Sequence, residues 1–425
     1  MSAPRIVELA QRIANNTSKV SEYLTANELP QPSFDIDAPL YGPVPRDAEP
    51  EIVNMRQSVL EDIEELQHLM LGSRDLLATY CFNHNSLLPH QVITRFGLAR
   101  NLPIGGETTF AEMAASSGLA ENDIRKLIRY AVTQRVFEEP RPGVITHSAA
   151  SRLLAEDTAA HDYLATAANE FWPAATRTCD AMIQFPGSEE PTQTGFALAN
   201  NTDKSFYQFL SDYPDRSKRF ANMMLGFTSG KEYSLHYVTD FYPWDELSGG
   251  TVVDVGGSQG FVCVALARKF PSLSFVVQDL EPVITEAQKN VPAEVADRIS
   301  FMAHDFFNPQ PVSGADVYYL RWVLHNWPDK YCIKILRNLI PALKPGAKVI
   351  LHEAILPSPG EVPKNLESQL RSFDLVMTTS LNAKERDLSD WTGLFQSADE
   401  KFEYQGVTTP PGSGISMIVA VWKGD

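Results

Sequence analysis

Thr251-Val252-Val253-Asp254-Val255-Gly256-Gly257-Ser258-Gln259-Gly260 is the stretch on which the fold turns. Five residues, four of them β-branched, suit a buried pleated strand. Glycines then allow a sharp turn, and a helical pattern runs on to Lys269. Toward the C-terminus the same grammar repeats. Residues 274–278 read as a second strand ending at Asp279, and 299–303 as a third ending near Asp305. Residues 317–320 form a fourth, leading into Trp322 and His325 and then a helix over 329–343. Residues 347–352 form a fifth, ending at Glu353, and another helix covers 364–381. Residues 402–407 and 416–422 close as an antiparallel pair. Strands alternating with helices predict an α/β fold with a doubly wound sheet. Ligands of such sheets sit beyond the carboxyl ends of the strands. The glycine loop, Asp279, Asp305, His325 and Glu353 all fall there.

The loop is not a dinucleotide fingerprint. That pattern needs glycines at i, i+2 and i+5. Counting from Gly256 gives Ser258 and Phe261, and from Gly257 gives Gln259 and Val262. Small residues still let a bulky ligand approach the backbone, and Asp254 can face a cation rather than a phosphate. S-adenosylmethionine, which carries a sulfonium and an ammonium, suits such a mouth. Asp279 can accept two hydrogen bonds from a ribose diol, while Asp305-Phe306 adds an acceptor and an apolar wall beside an adenine.

Upstream of the loop, residues 156–240 are aromatic-rich and mainly helical, with Phe171, Trp172, Phe206, Tyr207, Met223 and Met224 among them. They are either core or the lining of an apolar pocket. Residues 109–154 read as two short helices parted by Ser117-Gly118, followed by a hairpin near Pro140 to Gly143, a helix-turn-helix with a wing. The second helix carries Arg125, Lys126 and Arg129. Further upstream, residues 4–27 and 51–71 carry apolar stripes, and a proline-rich connector from Pro30 to Pro50 joins them. Those stripes pack either on a partner subunit or on the same chain.

The 425 residues hold 36 Lys plus Arg against 53 Asp plus Glu, a net charge of −17. That surface repels phosphate backbones and anionic lipid, so neither nucleic acid nor membrane is an expected partner. Cys81, Cys179, Cys263 and Cys332 show no metal-binding spacing and are expected as reduced thiols, with no metal site. The N-terminal MSAPRIVELAQRI lacks an apolar signal core, and a cytoplasmic protein is expected.

VVDVGGSQG, FVVQDLEP, AHDFF, LRWVLHNWPDKYCIKILRNLIPALKPGAKVILHEAILP and NAKERDL occur in the order and spacing of one family. The chain resembles the plant caffeate and flavonoid O-methyltransferases, and its N-terminal half looks like fungal natural-product relatives. The match covers roughly residues 109–425, most densely 251–391. The resemblance implies a Rossmann-like methyltransferase sheet with an N-terminal, mainly helical, winged-helix dimerisation domain. It implies a homodimer that transfers methyl from S-adenosylmethionine to a phenolic oxygen of a small aromatic substrate. By position, His325 matches the general base, with Glu353 and Glu385 as the flanking acids. Gly256, Gly257, Asp279, Leu280, Asp305, Phe306 and Arg321 match cofactor positions, with Arg321 where plant members usually have Lys. Met223, Met224, Trp322, Asn326 and Met377 match substrate-pocket positions. The glycine loop departs from the family at Ser258-Gln259.

The chemistry of those residue types agrees. A phenol of pKa near 10 is a poor nucleophile at neutral pH. Histidine can take its proton during attack, and a carboxylate on the far side of the ring fixes the tautomer. The expected organisation is a helical dimerisation segment over 1–105, a winged-helix module over 106–155, a helical pocket segment over 156–245 and the cofactor domain over 246–425. Two rivals differ in outcome. One is a methyl-sparing, S-adenosylmethionine-bound pericyclase or dehydratase on the same fold. The other is a winged-helix DNA-binding regulator, against which the pI near 5.0 argues.

Overall fold

The computed structural model describes residues 3–45, 48–247 and 249–424. They form two compact units. The first comprises the chain up to Pro173 with Leu210–Phe227 and Pro363–Ser368. The second comprises Ala174–Phe209, Thr228–Val362 and the residues from Gln369 onward. Residues 156–245 are divided between the two.

The second unit carries a seven-stranded sheet. Its strands are β4 (Thr251–Val255), β5 (Ser274–Asp279), β6 (Ile299–Ala303), β7 (Val317–Arg321), β8 (Lys348–Glu353), β9 (Phe402–Thr408) and β10 (Ser416–Trp422), in the order β6-β5-β4-β7-β8-β10-β9. The five strands β6-β5-β4-β7-β8 run parallel, and β10 and β9 add to β8 in antiparallel pairings. The order reverses between β4 and β7, which places the switch point where β4 enters the glycine loop. Parallel strands are covered on both faces and therefore read as continuous apolar runs. Val253, Val255, Tyr318, Leu320, Val349 and Leu351 pack into one core, while Val252, Val317, Tyr319 and Ile350 pack into the other.

Helix Asp329–Leu339 buries Cys332, Ile335, Leu336 and Leu339, a spacing that keeps one face on the sheet. Each such leucine contributes about 1.5–3 kcal/mol by burial, so Leu336→Ala should cost about 2–5 kcal/mol. The helix expected to reach residue 343 ends at Leu339, with only a 3₁₀ turn at Ile340–Ala342. Pro341 lacks the N–H that a continued α-helix needs. Helix Lys364–Leu381 has the bounds its pattern predicts. Helix Leu388–Ala398, buried through Trp391, Leu394, Phe395 and Ala398, was not marked by the sequence reading.

In the first unit, Arg5–Ala26 and Pro50–Asn83 lie antiparallel. Arg5 Nε donates to Glu65 (2.8 Å), Arg12 bonds Asp62, and Asn16 bonds Ser58 (3.5 Å). Leu9, Leu24 and Ile52 are buried, so part of both apolar stripes is covered by the chain itself. The second helix runs past the expected end at residue 71 and is kinked at Gly72 (φ 67°). Beyond the kink Leu77, Tyr80 and Phe82 stand exposed.

Helices Phe110–Ser117 and Glu121–Thr133 meet at Gly118 (φ 73°) and pack beside β1 (Glu107–Thr109), β2 (Glu138–Arg141) and β3 (Val144–Thr146), ordered β1-β3-β2. Thr109 and Glu112 form a capping box at the first helix, satisfying two backbone donors. Arg125 pairs with Glu121 (2.5 Å) and Arg129 with Glu139 (2.8 Å), so basic groups that a DNA-reading helix would present are engaged by carboxylates.

Helix Pro214–Thr228 lies along Thr158–Thr166 and the π-turn Ala167–Phe171. Arg216 and Arg219 both bond buried Glu170, and Asn222 Nδ2 donates to Asp162 (2.8 Å). Met223 is buried on this helix and Met224 half-buried.

Candidate active site

The glycine loop is folded onto the end of β5. The backbone N–H groups of Gly256 and Gly257 both donate to Gln278 O, at 2.8 and 2.9 Å. Gly256 has φ 75°, and a Cβ there would lie 2.9 Å from Val323 Cγ2, so both conformation and space require glycine. The Phe306 ring lies next to Gly256, with Phe307 and Trp327 behind it. Asp279 Oδ2 accepts from Ser258 N–H (2.9 Å) and Oδ1 from Leu280 N–H (2.8 Å). Burial raises the Asp279 carboxyl, although both amides oppose the shift. Leu280 is 56% exposed beside it. Asp305 Oδ1 accepts from Phe307 N–H at 2.9 Å.

Asp254 does not face outward. It is 2% exposed, lies directly under Gly257 and accepts from the Cys263 thiol (3.5 Å). Burial pushes its carboxyl up to about 7. A group at this depth supports the loop from below instead of meeting a ligand at the mouth.

At the end of β7 the chain turns sharply. Arg321 donates to Tyr233 O (2.8 Å), and its Nε is buried with no hydrogen-bond partner among the described residues. Trp322 adopts φ 56°, a left-handed conformation that costs a bulky residue energy and is held by its surroundings. Its ring meets Tyr233 and His325. The 3₁₀ turn Leu324–Asn326 follows and carries His325, 4% exposed.

His325 Nδ1 donates to Glu385 Oε1 at 2.9 Å, and the ring stacks with Phe373 at 6.4 Å. No other hydrogen bond reaches the imidazole among the described residues, so Nε2 is the nitrogen left to take a proton. Burial lowers the imidazole pKa, but the Glu385 bond and the charges of Glu353 and Glu385 outweigh it. The net direction is upward. Glu353, fully buried, holds the loop: its Oε1 accepts from the backbone N–H of Val323 (3.0 Å) and Leu324 (2.8 Å). Burial pushes its carboxyl up to about 7. Glu353 thus acts on the imidazole through charge, and only Glu385 bonds it.

Arg386 and Asp374 escaped the sequence reading, and Tyr207 stood out there only as one of an aromatic-rich stretch. Arg386, 0% exposed, donates to Leu324 O (3.2 Å), Trp327 O (2.8 Å) and Asp329 Oδ1 (2.8 Å). Asp374 Oδ1 accepts from Glu385 N–H (2.8 Å) and so fixes the segment carrying the second acid. Tyr207 O–H donates to Asn326 Oδ1 (3.0 Å), while Asn326 Nδ2 donates to Trp322 O (3.0 Å). Arg386 stands beside Glu385 in the charged run Lys384-Glu385-Arg386, where nothing in the sequence marks it as the buried member, and Asp374 has no sequence signature. Met377 is buried on Lys364–Leu381. The unit thus brings together every expected residue except Met223 and Met224, which belong to the first unit. A cavity of about 410 Å³ lies behind this segment, lined by Met182, Phe185, Asp329, Thr378, Asn382 and Lys384 among others. None of His325, Glu353 or Glu385 borders it.

Residues 212–400 match the model of the O-methyltransferase domain. The chain is 40% identical over 421 residues to the grayanic acid biosynthesis cluster O-methyltransferase of Cladonia grayi, covering 98% of this chain and 88% of that one. Two solved structures share the fold. OxaC in complex with sinefungin and meleagrin superposes with a TM-score of 0.74 at 22% identity, covering 97% of this chain and 99% of that one. A pericyclic reaction enzyme superposes with a TM-score of 0.70 at 21% identity, covering 97% and 100%. At such identities the structural likeness speaks for the fold alone.

Proposed function

We propose, from the premise that the chain belongs to the S-adenosylmethionine-dependent O-methyltransferases of natural-product biosynthesis, that it methylates a phenolic hydroxyl of an aromatic metabolite with His325 as general base. The carrying observation is the buried His325–Glu385 pair, with Nε2 unengaged, at the strand end next to the glycine loop. A cycloaddition moves no proton and calls for no such pair.

The residues present fit the cofactor. At Gly256 a Cβ would meet Val323, so the backbone stays bare there for a ligand to approach, and Phe306 offers an apolar wall beside it. The Asp279 carboxylate keeps lone pairs for a ribose diol, and the buried Arg321 Nε–H lacks an acceptor. Asp279, Leu280, Asp305, Phe306 and Arg321 would therefore hold it. When bound, S-adenosylmethionine supplies a methyl group on a sulfonium.

The protein's own part is proton handling and alignment. His325 Nε2 accepts the phenol proton as the oxygen becomes nucleophilic, worth about 10²–10⁴ in rate. Glu385 holds Nδ1–H and steadies the imidazolium that forms. Glu353 and Arg386 keep the loop fixed, so that oxygen, methyl and sulfur can lie in line. Trp322, Asn326 and Met377 are read as lining the acceptor's pocket.

The remaining assignments rest on pattern. Residues 106–155 are read as a winged-helix module that serves dimerisation, and the exposed Leu77, Tyr80 and Phe82 as part of an interface between two copies. The domain partition at 105, 155 and 245 follows from the same reading. All four cysteines are free thiols, which fits a reducing cytoplasm. No helix among the described residues is long and apolar enough to cross a membrane.

The deciding experiment gives the protein methyl-labelled S-adenosylmethionine and a panel of phenols. Label should appear as an aryl methyl ether, and none when sinefungin replaces the cofactor. Product formed with sinefungin bound would instead assign the methyl-sparing chemistry.

A further inference from the structure

Beside His325 stands a carboxamide whose oxygen end is held by a residue outside the catalytic loop. Asn326 Oδ1 accepts from the Tyr207 hydroxyl at 3.0 Å, and Nδ2 donates to Trp322 O at 3.0 Å. The second bond fixes which end of the amide is nitrogen, because a backbone carbonyl can only accept, and the Tyr207 hydroxyl then donates to the oxygen end. Nδ2 carries two hydrogens and spends one on Trp322, so one N–H remains to be satisfied. Asn326 is half-buried at the end of the 3₁₀ turn.

Tyr207 is built as a wall. Burial among its neighbours pushes the hydroxyl up to about 12, while 42% of the residue is open. Phe206 meets it edge-on, and Phe196 and Phe209 pack behind Phe206. The pair therefore stands at the surface of the unit, on the turn that carries the base.

His325 and Asn326 are consecutive on a 3₁₀ turn. At about three residues per turn their side chains diverge by roughly 120° and address different atoms of a bound molecule. His325 takes the hydroxyl to be methylated, so the spare amide N–H meets a neighbouring acceptor atom. A hydroxyl with an adjacent carbonyl holds its proton in an internal hydrogen bond. An N–H donated to that carbonyl oxygen competes for its lone pairs and loosens the proton for Nε2.

We propose that Tyr207 is a positioning residue that orients Asn326, and that the Asn326 N–H selects aromatic acceptors bearing a carbonyl oxygen next to the methylated hydroxyl. This rests on the reading of His325 as the base of methyl transfer. It is tested by methyl transfer to two isomer pairs, 2- and 4-hydroxyacetophenone and 1- and 2-hydroxyanthraquinone, using the wild type and Tyr207→Phe. Comparing each isomer with itself cancels differences in phenol acidity. Losing a donor that fixes the amide should lower kcat/KM for the adjacent isomer by about tenfold, at least fivefold more than for the remote one. Asn326→Ala should discriminate in the same sense and more strongly. A role confined to folding would lower both isomers alike, and equal losses overturn the proposal. Transfer to carbonyl-free phenols with none to any of the four ketones overturns it as well, leaving the His325 reading intact. Transfer to no phenol at all overturns that reading and this inference with it.

Discussion

Glu353 and Arg386 hold the same residue by its two backbone groups: Glu353 Oε1 accepts from Leu324 N–H at 2.8 Å, and Arg386 donates to Leu324 O at 3.2 Å. Backbone amides at a strand end have no ladder partner and, when buried, must find one elsewhere. Here a carboxylate takes the donors and a guanidinium the acceptors, so both bonds are charge-assisted. His325 follows immediately. Its position is therefore set by side chains on two other segments, β8 and the stretch after helix Lys364–Leu381.

Arg386→Met should misplace the base more than it unfolds the protein. Its partner Asp329 is 41% exposed and can be rehydrated, so the stability loss should be about 1–3 kcal/mol by urea unfolding. The loss in kcat should be larger in energetic terms, about 10²-fold, because small displacements of a base are costly. A variant with unchanged kcat and lowered stability would make Arg386 a purely structural residue.

Glu353→Gln keeps an acceptor for Val323 and Leu324 but removes an ionisation. Burial raises the Glu353 carboxyl to about 7 from an ordinary 4.5. The native state then binds more protons than the unfolded chain across that window, so this group's contribution to stability falls as pH rises from about 4.5 to 7. The stability of Glu353→Gln relative to wild type should thus improve from pH 5.5 to pH 8 in urea midpoints. A difference independent of pH would show that the carboxyl titrates normally.

Much of this was legible. Strand-end positions fix themselves, since a run such as Thr251–Val255 can only be a covered strand and its last residues must meet the ligand edge. Asp279, Asp305, His325 and Glu353 came from that rule together with the family spacing. What escaped was decided by tertiary direction. Nothing in Lys384-Glu385-Arg386 says that Glu385 turns to the imidazole while Arg386 turns to backbone carbonyls. Asp254 was misplaced because alternation gives the face of a strand but not the depth beneath a loop. Gly72 hid the continuation of helix Pro50–Asn83 because a glycine ordinarily ends such a pattern.

Asp279→Ala should weaken S-adenosylhomocysteine binding by about 1.5–3 kcal/mol, the worth of hydrogen bonds to a charged group. It also frees the Ser258 amide, which Asp279 now holds at 2.9 Å. Asp279→Asn retains an acceptor for one of the two amides and should fall between wild type and Ala. Calorimetry giving one affinity for all three proteins would remove Asp279 from the cofactor site.

The exposed apolar side chains beyond the Gly72 kink should be covered by a second copy of the chain, giving an isologous dimer. Leu77→Glu combined with Phe82→Glu should then lower the mass in light scattering to that of one chain. A single-chain mass for the wild type at micromolar concentration would defeat the dimer.

The pH profile tests the base itself. Burial alone would depress His325, but the Glu385 bond and the two nearby carboxylate charges raise it above its usual 6.5, with Arg386 opposing them. The imidazole must be neutral to accept a proton, so the acid limb of kcat/KM should lie above 6.5 and activity should climb through it as pH rises. In Glu385→Gln the charge is gone while the shape remains, and burial should then dominate. The limb should move to lower pH while the plateau falls, because the imidazolium loses its partner. His325→Ala should lower kcat by about 10²–10⁴ and lose the limb altogether. Raising the pH toward the phenol's own pKa should recover part of that loss, and a more acidic acceptor should shrink it, since a phenolate needs no base. A limb that stays in place in His325→Ala would assign it to another group and remove His325 from the reaction.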